Sequence, residues 1–126
     1  MSGYTIIIVE DEFLIQADYQ QAIDHAFPNA TIYPLPDSRN LLDTYHRTHP
    51  DLIVTDLVMD SENEGISGIT EIREIDPRIP IIVASGHAGF SSLAEAFGIS
   101  LKLQKPVSGE VLVNAIKNLL VPDEAV

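Results

Sequence analysis

The chain has 126 residues, 45% of them hydrophobic and 21% charged, which is the composition of one globular domain and too apolar for a disordered chain. Its 7 Lys+Arg against 19 Asp+Glu leave a net charge of −12, with too few cations to neutralise a nucleic-acid backbone or hold an anionic membrane. The absence of cysteine excludes disulfides, thiolate metal sites and a cysteine nucleophile. No apolar run approaches the roughly 20 residues of a membrane span or the pattern of a signal peptide, so a cytoplasmic protein is expected.

Residues 4–9 are β-branched and apolar, too short for a helix, and predict a fully buried strand. Glu10, Asp11 and Glu12 follow at once. Helical periodicity then runs over residues 13–27, with Ile15, Tyr19, Ala22 and Ala26 on one stripe and Leu14 and Ala17 beside it. Residues 31–35 predict a second strand, placed at a sheet edge by Pro34 and Pro36. Asp37 or Ser38 is the expected cap of a helix reaching about His49, with Leu41, Leu42 and Tyr45 inward. Residues 52–55 predict a third strand that ends at Asp56, and residues 57–68 an acidic loop. A short helix over 69–75 stops at Asp76-Pro77. A fourth strand over 81–84 leads to Ser85-Gly86, a short helix is expected over 90–97, and a fifth strand over 101–103 is broken at Lys105-Pro106. Ser108 caps the last helix, whose apolar rows are Val111, Ala115, Leu119 and Leu112, Ile116, Leu120.

Strand and helix thus alternate five times, which predicts a doubly wound (βα)5 α/β fold, a five-stranded parallel sheet between two helical layers. One domain over 1–126 is expected, with its core over about 4–120 and a short acidic tail over 121–126. Such sheets bind ligands beyond the carboxyl ends of their strands. The residues standing there are Glu10 and Asp11, Asp56, Ser85 with Gly86 and His87, and Lys105 with Pro106. Three converging carboxylates repel one another unless a cation joins them. Mg²⁺ suits such oxygen ligands and is what phosphoryl transfer uses. Asp56 can then serve as a carboxylate nucleophile towards phosphorus, Lys105 and Ser85 can bind phosphoryl oxygens, and Gly86 leaves room for the group. Taken singly, each of these residues reads as a cap, a turn or a surface charge. Glu12 stays in that class, as an acid favoured at a helix N-terminus. His25, His46 and His49 carry no site pattern.

Four segments together resemble the receiver domain of bacterial two-component response regulators: IIIVEDE at 6–12, LIVTDL at 52–57, PIIVASG at 80–86 and QKPV at 104–107. The resemblance covers nearly the whole chain and implies the flavodoxin-like, CheY-like fold. It makes Asp56 the phosphoacceptor and Glu10, Asp11, Asp56 and the Val58 backbone carbonyl the ligands of Mg²⁺, with Mn²⁺ able to replace it. Ser85, Gly86 and Lys105 bind the phosphoryl group. The donor it implies is a histidine kinase or histidine phosphotransfer protein. The receiver catalyses only its own phosphorylation and dephosphorylation, and phosphorylation reshapes the face formed by the family's fourth helix, fifth strand and fifth helix.

The chain departs from that pattern in four places. The loop after Asp56 is longer, lacks the usual proline and carries DSENE; residues 51–76 hold eight acids and one arginine. A solvated loop is the plain reading, and Asp60 or Glu62 as an added metal ligand or a charge against wrong kinases is the sharper one. Lys102 stands where the family has an aromatic switch, which implies a different or weaker output route. The stretch from Ser85 to Lys105 is short, which argues against the family's usual dimer and for a monomer or weak dimer. Val58 cannot orient an attacking water, so slow autodephosphorylation is expected, and His87 is either a helix-start residue or a modulator of hydrolysis. Phe13 and Leu14, with Pro106 and Val107 opposite, form either a docking place for a phosphodonor helix or ordinary core packing.

Output is expected through contacts with an unidentified downstream protein, without a DNA-binding domain. The alternatives are a receiver cut from a larger regulator or hybrid kinase, and a receiver-like module that works without phosphate. An aspartate-nucleophile phosphatase fits poorly because Val58 stands where its general acid belongs. A flavodoxin-type cofactor binder fits poorly because the acidic pocket repels a flavin phosphate.

Overall fold

The computed structural model describes residues 3–56, 62–85 and 98–121, with the backbone alone for 62–67 and 85. Strands β1 (Thr5–Val9), β2 (Thr31–Leu35), β3 (Leu52–Thr55), β4 (Ile81–Ser85) and β5 (Leu101–Gln104) alternate with helices α1 (Phe13–Ala26), α2 (Leu41–Thr48) and α3 (Glu62–Ile75), and helix α4 (Gly109–Leu120) follows β5. The sheet has the order β2-β1-β3-β4-β5 and every pairing is parallel. The helix expected over 90–97 lies outside the described residues.

Alternation of side chains along the strands divides the core in two. Ile7, Val9, Ile53, Ile81 and Val83 face one way and pack with Leu41 of α2 and Ile69 and Ile72 of α3. Ile6, Ile8, Leu52, Val54 and Ile82 face the other way and pack with Tyr19 and Ile23 of α1 and Leu112, Val113, Ala115 and Ile116 of α4. Each such aliphatic side chain contributes about 1.5–3 kcal/mol when fully buried, which is why the middle strands carry almost nothing polar until they end. Strand β2 lies at the edge, and Pro34 pairs in register with Ile8.

Several local expectations are corrected. On α1 the expected stripe holds, Tyr19 being buried and Ile15, Ala22 and Ala26 packed against the core, but Gln16 and Ile23 are buried as well, while Leu14 and Ala17 are exposed. The arc 16-19-23 points at the sheet, and the polar Gln16 hid it from a count of apolar residues. On α4 the buried face is Leu112, Val113, Ala115 and Ile116, and Val111 is exposed, because it sits in the first turn beside the cap. Ser108 caps that helix as expected, its Oγ accepting from the Val111 N–H at 3.1 Å. Asp37 and Ser38 do not cap α2. Asn40 holds the N-cap position without a side-chain bond, and Asp37 accepts from the Arg39 backbone and guanidinium instead.

The largest correction is α3, which starts at Glu62, seven residues before the expected Ile69. The Gly- and Ser-rich stretch is helical, and within it Gly68 is a contact point. A Cβ there would lie 2.9 Å from the Ser38 Cβ and 3.1 Å from the Leu41 Cδ2, so its absence lets α3 close on α2. Gly109 does the same for α4 against α1, where a Cβ would meet the Ala22 Cβ at 2.6 Å.

Candidate functional site

All strands being parallel, their carboxyl ends share one side of the sheet. The order reverses between β1 and β3, since β2 lies outside β1 and β4 lies beyond β3. The acids stand at this switch point. The Glu10 N–H donates to the Leu35 carbonyl at 3.0 Å, and the Asp56 N–H to the Val9 carbonyl at 3.2 Å, so both backbones continue the ladder past the strand ends. Glu10 is 3% and Asp56 5% exposed, whereas Asp11 is exposed. Oxygens of Glu10, Asp11 and Asp56 lie within 4.8 Å of one another.

Lys105 reaches in from the end of β5. Its Nζ donates to Glu10 Oε1 and to Asp56 Oδ2, each at 2.8 Å. Burial works against the ammonium, but hydrogen bonds to Asp56 and Glu10 prevail and hold its pKa above the ordinary lysine value. Burial pushes the Glu10 carboxyl up from its ordinary value, against the opposing hydrogen bonds from Lys105 and the Glu12 N–H. Among the described residues, three carboxylates and one ammonium sum to a charge of −2, which one divalent cation would balance. Hard oxygen donors at this spacing fit Mg²⁺ or Mn²⁺.

Two residues beside the site were given no site role from sequence, although Tyr19 was placed on the apolar stripe of its helix. Gln16, 7% exposed, donates through Nε2 to the carbonyls of Ile8 (3.2 Å), Glu10 (3.4 Å) and Leu35 (3.2 Å). Tyr19 is buried beside the Lys105 groove, and its phenol is pushed up to about 12, chiefly by burial. The available signal was a polar residue, Gln16, at a helical position three before Tyr19 and seven before Ile23.

Ser85 ends β4 and pairs in register with Gln104. Lys102 is exposed on β5 opposite Val83. Val58, Asp60, Gly86 and His87 lie outside the described residues, and Glu62 opens α3. Phe13 and Leu14 are each 80% exposed, which excludes core packing for them. Leu14, Ile15 and Tyr19 face Lys105, Pro106 and Val107 across a groove of about 470 Å³. A larger groove of about 770 Å³, between α1 and α4, contains none of the strand-end residues.

A family model described as the response regulator receiver domain matches residues 6–117. The transcriptional regulatory protein GlrR of Escherichia coli (strain K12) is 32% identical over 77 residues, 60% of this chain and 17% of that protein. The autoinducer 1 sensor kinase/phosphatase LuxN of Vibrio campbellii is 26% identical over 117 residues, 92% of this chain and 13% of that protein. The chain therefore spans less than a fifth of the length of these relatives. Among solved structures, the chemotaxis response regulator CheY4 of Vibrio cholerae superposes with a TM-score of 0.83 at 19% identity, covering 94% of this chain and all of that one. A LuxR-family two-component response regulator from Aurantimonas gives 0.80 at 27% identity, covering 92% of this chain and 84% of that one.

Proposed function

The chain belongs to the response regulator receiver family, and from that premise we propose that Asp56 accepts a phosphoryl group from the phosphohistidine of a histidine kinase or histidine phosphotransfer protein. An Asp56 carboxylate oxygen attacks phosphorus; an O–P bond forms as the N–P bond breaks, and the imidazole leaves with the electron pair. Glu10, Asp11 and Asp56 are the residues that would hold Mg²⁺, or Mn²⁺ in its place, with the Val58 carbonyl as a further ligand. Bound there, the ion neutralises charge on the phosphoryl oxygens. Lys105 exchanges its carboxylate partners for phosphoryl oxygens, Ser85 donates to another, and Gly86 leaves space for the group. The observation that carries this reading is the clasp of Lys105 on two acids from two other strands, at 2.8 Å each. It brings nucleophile, cation ligands and phosphoryl-binding ammonium into one place.

The exposed Leu14, which lines the groove to Pro106 and Val107, and the exposed Phe13 beside it in sequence suit a docking helix of the phosphodonor. Output then passes to a downstream protein by surface contact, with the acyl phosphate lost slowly because Val58 cannot orient water. The test is intact mass after incubation with Mg²⁺ and acetyl phosphate or a phosphorylated phosphotransfer protein, wild type beside Asp56→Asn. One adduct of roughly 80 Da, dependent on Mg²⁺ and absent from the variant, is expected. An exposed Lys102 at the switch position favours a second reading, a module that signals without phosphate. The absence of both adduct and cation binding would select it.

A further inference from the structure

We propose that Gln16 is a positioning residue for the cation site, clamping the Glu10–Glu12 turn so that the carboxylates are set before a cation arrives. The inference rests on reading the acidic cluster as a cation site. The Nε2 of Gln16 straddles the last rung between β1 and β2, the bond from the Glu10 N–H to the Leu35 carbonyl. It touches the carbonyls of Ile8, Glu10 and Leu35 at once. Its own backbone N–H donates to the Glu12 carbonyl at 2.9 Å, and the Glu12 N–H donates to Glu10 Oε2 at 3.1 Å. One residue therefore holds both ends of the turn that carries Glu10 and Asp11. The opposite end of the same carboxamide supports a role beyond filling: Gln16 Oε1 is buried and meets no hydrogen-bond donor among the described residues. An apolar side chain would avoid that cost, so the value of the amide lies in what Nε2 holds.

The test uses Gln16→Met, which keeps the volume and removes both donors, with amide exchange and Mn²⁺ titration as readouts. Relative to the Ile53 amide in the sheet core, the Glu10 and Glu12 amides exchange faster in the variant, and Mn²⁺ binds about tenfold more weakly, the low end for loss of a partner behind the ligands. A folded variant with wild-type exchange rates at both amides, or with Mn²⁺ affinity within about twofold, overturns the proposal. Should Gln16→Met fail to fold, Gln16→Lys keeps the question open to measurement. Its ammonium offers three donors to the same three carbonyls, so wild-type protection at Glu10 and Glu12 is expected and faster exchange there refutes the clamp. A wild type that binds no Mn²⁺ overturns the cation reading and the positioning role with it, whereas the exchange rates report on the clamp alone.

Discussion

Replacing Lys105 with methionine keeps the buried stem and removes the ammonium that contacts Glu10 and Asp56 at 2.8 Å each. At an effective dielectric of about 20, each contact carries about 6 kcal/mol of Coulomb attraction. Desolvation of the three charges cancels most of the sum, and removing one partner of a buried pair costs about 3–5 kcal/mol net. Without divalent cations, the variant should melt about 11–19 °C below wild type. Mg²⁺ should change the comparison. Among the described residues the wild-type site sums to a charge of −2 and the variant site to −3, so saturating Mg²⁺ raises the melting temperature of the variant more. Thermal melts followed by far-ultraviolet circular dichroism, with and without Mg²⁺, give both numbers. A variant that melts within about 2 °C of wild type, or a wild type that gains more from Mg²⁺ than the variant, would refute the clasp as described.

Tyr45 on α2 donates to Asp76 Oδ2 at 2.6 Å, and this bond pushes the phenol up to about 12 while holding the Asp76 carboxyl below its ordinary value. The native state binds the phenolic proton more tightly than the unfolded chain, so stability falls as pH rises from about 10 towards 12; the unfolded state binds the Asp76 proton more tightly, so stability also falls as pH drops below about 4. In Tyr45→Phe the alkaline slope should shrink, Tyr19 and Lys105 supplying the remainder, and the acid slope should shrink too, Asp76 keeping its bonds from the Arg78 and Ile79 N–H groups; urea titrations at several pH values read both. Gly68→Ala forces a methyl to within 2.9 Å of Ser38, and overpacking of this kind should cost about 1–3 kcal/mol in a urea melt. A neutral Gly68→Ala would mean that α2 and α3 separate without penalty.

The strand ends were legible because the middle strands are apolar until the chain turns to chemistry. Val9 to Glu10 and Thr55 to Asp56 mark the boundary in one step, and a parallel sheet then brings the boundaries together. Lys105 could be placed near the acids for the same reason, although its contact with both at once depends on how far its side chain reaches across from β5. Helix faces were less legible. Leu14 and Ala17 read as widening the apolar stripe because they are apolar, yet the helix turns Gln16 inward instead, to meet three carbonyl groups where a ladder ends. The start of α3 was missed because local propensity treats Gly65, Ser67 and Gly68 as turn residues, while the decisive fact is how closely α2 passes. Whether a glycine breaks a helix or lets another one near it depends on a neighbour that adjacent sequence does not name.

The outer strand has a consequence for the protein in a crowded solution. The Leu35 carbonyl faces β1, so Pro34 one residue earlier turns its backbone away from the sheet. One residue before the end of this free edge, an arriving chain finds a pyrrolidine ring instead of an amide hydrogen. Templated growth needs a donor at every second residue, and here the row stops after Ile32. Replacing Pro34 with valine would restore the donor and give the edge a β-branched residue. Such a change would leave the native core alone while opening a route to edge-to-edge polymers.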